Sequence, residues 1–116
     1  MKILKTNIEN LAESKVMIYK LTKAPSINLQ RMTDEQSAAA YPVDAYLYYE
    51  DTNSKGDVVN VLAILSGSVV ISTVGKTFID SFFQIVDIMD GDPFTIRVYT
   101  GESKNKRKFF DCVLDC

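Results

Sequence analysis

The chain contains no histidine and no tryptophan, and only two cysteines occur in 116 residues. Without histidine it has no side chain whose ordinary pKa suits proton transfer near neutral pH. A tetrahedral zinc site wants about four Cys or His ligands, and Cys112 and Cys116 are the only ones present, so structural zinc is excluded. Both cysteines read as reduced thiols: Cys112 falls on the core side of its strand and packs as a small apolar group, and Cys116 ends the chain. Long apolar runs are also missing. The longest, Val58 to Leu65, is broken by Asn60 and falls far short of the roughly 20 residues of a membrane helix. Met1-Lys2-Ile3-Leu4-Lys5 opens no sustained apolar segment and leads to no small-residue cleavage site, so the expectation is a cytoplasmic protein with no membrane contact. Excess charge is absent too. Thirteen basic residues against fifteen acidic ones leave a net charge of -2, and an anionic partner has to be met by a local patch.

What is present is organised around residues 58 to 114, in a chain long enough for one core. Val58 to Leu65 is a β-branched run, Gly67 separates it from Ser68 to Thr73, and the two predict a strand pair with a tight turn. From Lys76 to Met89 the period changes. Phe78, Phe82, Ile85, Val86 and Met89 recur at three- and four-residue spacing and predict an amphipathic helix. Thr77 with Asp80 suits its first turn, and Asp90-Gly91-Asp92-Pro93 suits its end. Phe94 to Thr100 and Arg107 to Leu114 alternate apolar and polar residues around a lysine-rich loop, which predicts a second strand pair.

Upstream, Ile3 to Ser14 has helix-like apolar spacing, whereas Lys15 to Leu21 reads as a strand. Ile27 to Ala40 reads as a loop with a short helical turn capped by Thr33 or Asp34. Val43 to Glu50 alternates, with Val43, Ala45, Leu47 and Tyr49 on an apolar face. Tyr46 and Tyr48 share the other face with Asp44 and Glu50 and are expected to face solvent. The order from Val43 is then three strands, a helix and two strands. That is the order of an OB-fold, a five-stranded, partly open barrel with a helix between strands three and four. The expected architecture is a mainly β, OB-fold-like core over residues 41–116 preceded by an N-terminal extension over residues 1–40.

The two-residue period puts Phe94, Ile96, Val98, Phe110, Cys112 and Leu114 inward, and Thr95, Arg97, Tyr99, Arg107, Phe109 and Asp111 outward. Aromatic and basic residues on one surface suit single-stranded nucleic acid, because bases stack on rings while cations follow phosphates. From Arg97 to Lys108 there are five basic residues, Arg97, Lys104, Lys106, Arg107 and Lys108, against Glu102 alone. Singly, each of these residues has an ordinary structural reading as strand packing or as a solvated turn. Gly75-Lys76-Thr77 fails as a P-loop because Val70 occupies the position of the first glycine. Asp87, Asp90 and Asp92 lack the remaining ligands of a calcium loop. No cofactor is expected and no enzyme activity.

The segment Ser72-Thr73-Val74-Gly75-Lys76-Thr77-Phe78-Ile79 through Phe82 and Ile85-Val86, then Asp92-Pro93-Phe94-Thr95-Ile96 and Gly101-Glu102-Ser103-Lys104 to Lys108-Phe109, resembles small single-stranded-DNA-binding proteins of phages and conjugative plasmids of Gram-positive bacteria. The resemblance covers about the C-terminal half. It implies an OB-fold that coats single-stranded DNA in replication or transfer. Tyr46, Tyr48, Tyr99 and Phe109 would then stack on bases, and Arg97, Lys104, Lys106, Arg107 and Lys108 would contact phosphate. The lack of tryptophan sets the chain apart from the chromosomal bacterial family. For the first 40 residues an oligomer contact and an accessory surface are both open. The competing expectation is a phage or plasmid accessory protein that binds a host factor through the tyrosine-rich face, since Tyr is also enriched at protein interfaces.

Overall fold

The structure is a computed structural model, and it describes residues 2–10, 12–23, 27–28, 39–102 and 108–115. Among these the elements are β1 (Lys2–Thr6), α1 (Lys15–Thr22), β2 (Ile27–Asn28), β3 (Ala40–Pro42), β4 (Ala45–Thr52), β5 (Val58–Ser66), β6 (Val69–Thr73), α2 (Lys76–Met89), β7 (Thr95–Glu102) and β8 (Lys108–Leu114). The fold is mainly β. Five strands form one sheet in the order β1-β4-β5-β6-β2, and three form a second in the order β3-β7-β8.

The β4-β5-β6 meander is held by local turn chemistry. Ser66 and Val69 are ladder partners, so Gly67 and Ser68 make a two-residue loop, and Gly67 at φ 58 supplies the positive φ that such a hairpin takes at its first loop position. The β4–β5 loop turns on Asn53, whose side-chain oxygen accepts the amides of Lys55 and Asp57. The Asp44 carboxylate accepts the Gly67 amide at 2.6 Å. That bond ties the β5–β6 turn to the junction where the chain leaves the small sheet for the large one.

Helix α2 has the bounds its apolar spacing predicts. Phe78, Ile79, Phe82 and Ile85 are buried, while Thr77, Asp80, Gln84, Asp87 and Ile88 lie on the exposed side. Fully burying Phe78 and Phe82 contributes about 1.5–3 kcal/mol each. The expected Thr77 cap is not made. The N-cap is Gly75, with no side-chain cap bond, because the helix begins at Lys76 and puts Thr77 one residue inside it. The C-terminal signal holds: Asp90 adopts the left-handed conformation at φ 46 and its amide reaches the Val86 carbonyl.

The two N-terminal elements are the reverse of expectation. Lys2–Thr6 is a strand paired with β4, and Lys15–Thr22 is a helix. Tertiary contacts outweigh propensity here. Met17, Ile18 and Leu21 pack with Leu47, Tyr49, Ala63 and Val70 on one face of the large sheet, and β1 covers the β4 edge. A bulge between Ile3 and Lys5 adjusts the register. The helical turn expected at Thr33 or Asp34 lies outside the described residues.

A closed barrel is not formed. Closure would pair the β7–β8 hairpin with the meander, but β7 pairs with β3 and β8, and the two sheets share no ladder among the described residues. Instead α2 lays Phe78, Ile79, Phe82 and Ile85 against Tyr46, Leu62, Ile64 and Ile71 of the large sheet and against Ile96, Val98 and Cys112 of the small one. The inward sides of both sheets are satisfied by the helix. With α1 on its other side, the large sheet is covered on both faces.

Candidate nucleic-acid interface

The structure separates the residues that the sequence groups on one surface. Tyr46 is 5% exposed, against the expectation that it faces solvent. Its ring meets Phe82 edge-on at 5.3 Å and Phe83 at 5.7 Å. Its backbone is clamped as well, with the amide donated to Asn7 and the carbonyl accepting from Thr6. The alternation along β4 is as the sequence predicts, but α2 covers the face expected to meet solvent. Burial, with the Asp87 charge second, pushes the Tyr46 hydroxyl pKa up.

Tyr48 is half-buried and contacts Phe83 edge-on at 5.2 Å. The Lys5 ammonium lies 4.8 Å from the same Phe83 ring and 3.5 Å from the Asp87 carboxylate. One side of Tyr48 lines an open groove with Asn60, Val74, Lys76 and Asp80 at the start of α2. The tyrosine pair is thus split between the core and its rim.

Arg97 and Tyr99 stand on the outer side of β7, where the register pairs them with Val113 and Asp111 of β8. Both are exposed, Tyr99 by 39%. Arg97 donates from Nε and Nη2 to one oxygen of Asp115, at 3.3 and 3.2 Å. Tyr99 donates its hydroxyl to Asp111 at 3.0 Å. That bond, followed by partial burial, raises the Tyr99 pKa. The inward assignments hold: Ile96, Val98 and Cys112 are buried, with Phe94, Phe110 and Leu114 packed beside them. Lys108 and Phe109 have their backbone in β8, opposite Glu102 and Gly101. Lys104, Lys106 and Arg107 lie outside the described residues.

Among the described residues, Asp111 and Asp115 engage this surface, and neither contact is expected from the sequence. Alternation puts Asp111 on the outward face without implying its bond to Tyr99, and it implies no role for Asp115. The signal was available in the β7–β8 register, which puts Asp111 directly across from Tyr99. Among the described residues no cluster of three or more acidic or cysteine side chains is arranged to hold a metal ion, and no helix is long and apolar enough to cross a membrane.

No family model, no curated protein and no solved structure matches this chain.

Proposed function

We propose that the β7–β8 hairpin binds single-stranded DNA without sequence preference, as a non-enzymatic protein of phage or plasmid replication or transfer. The observation that carries the reading is the outer side of β7. Arg97 and the exposed ring of Tyr99 stand two residues apart on it, and the strand leads in sequence to Lys104, Lys106, Arg107 and Lys108. Exposed rings stack on bases for roughly 1–3 kcal/mol each, and a basic track follows the backbone. The Arg97–Asp115 pair is exposed and worth at most about 1 kcal/mol, so a phosphate can take the place of the carboxylate. The interface is narrower than a barrel face: Tyr46 belongs to the core, and Tyr48 enters only through its open edge. An OB-fold opened by turning the hairpin into its own sheet is the architecture this reading takes, and the chain order of β4 to β6, α2, β7 and β8 supports it. Replication or transfer proteins are the natural partners of such a coat.

A second reading, a contact with a host protein, is favoured by a different observation. Val113 is 46% exposed, across from Arg97 and diagonal to Tyr99, on the edge strand of the small sheet, and an exposed aromatic near a sheet edge suits strand addition by a peptide.

Fluorescence anisotropy of a labelled single-stranded oligonucleotide, at low and high salt and beside its duplex, separates the two. DNA coating predicts preference for the single strand and steep weakening with salt, since phosphate contacts release counterions. Charge reversal at Lys104, Lys106, Arg107 and Lys108 abolishes that binding. Failure to bind at low salt rules the reading out in favour of the protein contact.

A further inference from the structure

Folding Lys15–Thr22 as a helix creates a surface that a strand at the same residues does not have. At about 100° per residue, Lys15 and Tyr19 fall in one row, Val16 and Lys20 fall in the row beside it, and Lys23 is the C-cap immediately after the helix. All five are exposed, Val16 by 72% and Tyr19 by 62%. The opposite side is committed to the core through Met17, Ile18 and Leu21. None of the three lysines makes an ion pair among the described residues, whose only two join Lys5 to Asp87 and Arg97 to Asp115. From residue 12 to residue 23 there are three basic side chains and one acidic, Glu13. This concentrates positive charge around an exposed ring in a chain of net charge -2.

An exposed tyrosine and valine between lysines have no packing role to account for them. Leu21, by contrast, is 3% exposed on the inner side of the same helix. We propose that the outer side of α1 together with its C-cap, formed by Lys15, Val16, Tyr19, Lys20 and Lys23, is a second contact for single-stranded nucleic acid, in which Tyr19 stacks on a base and the lysines hold flanking phosphates. The proposal rests on the DNA-binding reading of the β7–β8 hairpin and extends it to a separate element. The chemistry that selects the ligand is complementary charge together with a flat ring accessible on its face. The long lysine stems leave their charges in water around that ring.

The test is a salt titration of oligonucleotide binding by the full chain, in wild type, in the triple variant Lys15→Gln, Lys20→Gln, Lys23→Gln, in Tyr19→Ala, and in the hairpin-loop charge reversal. Each variant is first shown to melt as wild type does, which exposed positions permit. If α1 contacts the strand, the triple variant flattens the slope of log affinity against log salt by about 2, from roughly 0.7 per phosphate lost. Tyr19→Ala then weakens binding about tenfold. An unchanged slope and affinity in both, alongside loss of binding in the hairpin variant, overturns the α1 contact and leaves the hairpin reading standing. Absence of binding by wild type overturns both. Should wild type instead sediment with phosphatidylserine vesicles through these same lysines, the surface is a membrane one and the proposal fails.

Discussion

The hydroxyl of Tyr99 donates to one oxygen of Asp111 across the β7–β8 ladder at 3.0 Å, and the other oxygen of that carboxylate accepts the Cys112 amide at 2.8 Å. The Asp115 amide reaches the Thr95 carbonyl, so in this register the odd residues of β8 bond to β7 and the even ones turn their amides outward. Cys112 is therefore an edge amide, and Asp111 closes it off. An unblocked edge invites pairing with another chain. Replacing Asp111 by Ala should free both the edge and Tyr99, cost about 1 kcal/mol, and promote self-association. Light scattering after size exclusion reads the result, and a variant as monodisperse as wild type would show that Asp111 does not guard the edge.

Tyr46 and Tyr99 should respond oppositely to truncation. Tyr46→Ala removes a ring packed on Phe82 and Phe83 and is expected to destabilise by about 3 kcal/mol or more. Tyr46→Phe keeps the ring and should cost under about 1.5 kcal/mol. Tyr99→Ala, at an exposed position, should cost under about 1 kcal/mol while weakening DNA binding. Urea denaturation of the three variants decides the matter. Near-wild-type stability in Tyr46→Ala would return that ring to the binding surface.

Alkaline pH should unfold the protein through groups held protonated in its core. Burial, with the Asp111 charge second, pushes the Cys112 thiol from its ordinary 9.0 to about 12. Between those values the unfolded chain has released a proton that the folded chain keeps, so stability is full below about pH 9 and is lost as pH rises toward about 12. Tyr46 and Tyr49, both raised by burial, add to the loss above their ordinary 10.0. Melting temperature should be level from about pH 7 to 9 and then fall, less steeply in Cys112→Ala. Parallel curves for the two proteins would remove the thiol from the account.

The end of α2 can be improved. Asp90 holds a left-handed conformation at φ 46, which strains a residue carrying a Cβ. It also places a negative charge at a helix C-terminus, where the dipole disfavours it, and the last turn contains no basic residue. Asp90→Gly should raise stability by about 1 kcal/mol, read by thermal or urea denaturation. A loss of stability would mean that the carboxylate has a compensating role in the folded state.

Side-chain direction was legible in the sequence where a single element decides it, which covers two of the candidate residues, Arg97 and Tyr99. Arg97 and Tyr99 are outward, and Ile96, Val98 and Cys112 inward, as the two-residue period reads. Tyr46 and Tyr48 were not, although the same rule assigned them to a common face. Alternation separates the two faces of a strand and says nothing of what covers each. In an antiparallel sheet the polar-looking face is usually the solvated one, and here α2 covers it.

Local sequence is enough to specify α2 to its end residues, the Gly67 turn and the two alternating strands of the hairpin. Each is set by interactions within a few residues: an apolar stripe, a glycine at positive φ, a period of two. Long-range packing sets the rest: residues 2–6 pair as an edge strand while 15–22 coil over the sheet, and the hairpin joins β3 instead of closing a barrel. Short segments carry weak local preferences, and the free energy of covering Leu47, Tyr49 and Ala63 outweighs them. The exposed lysine and tyrosine rows of α1 exist because of that choice.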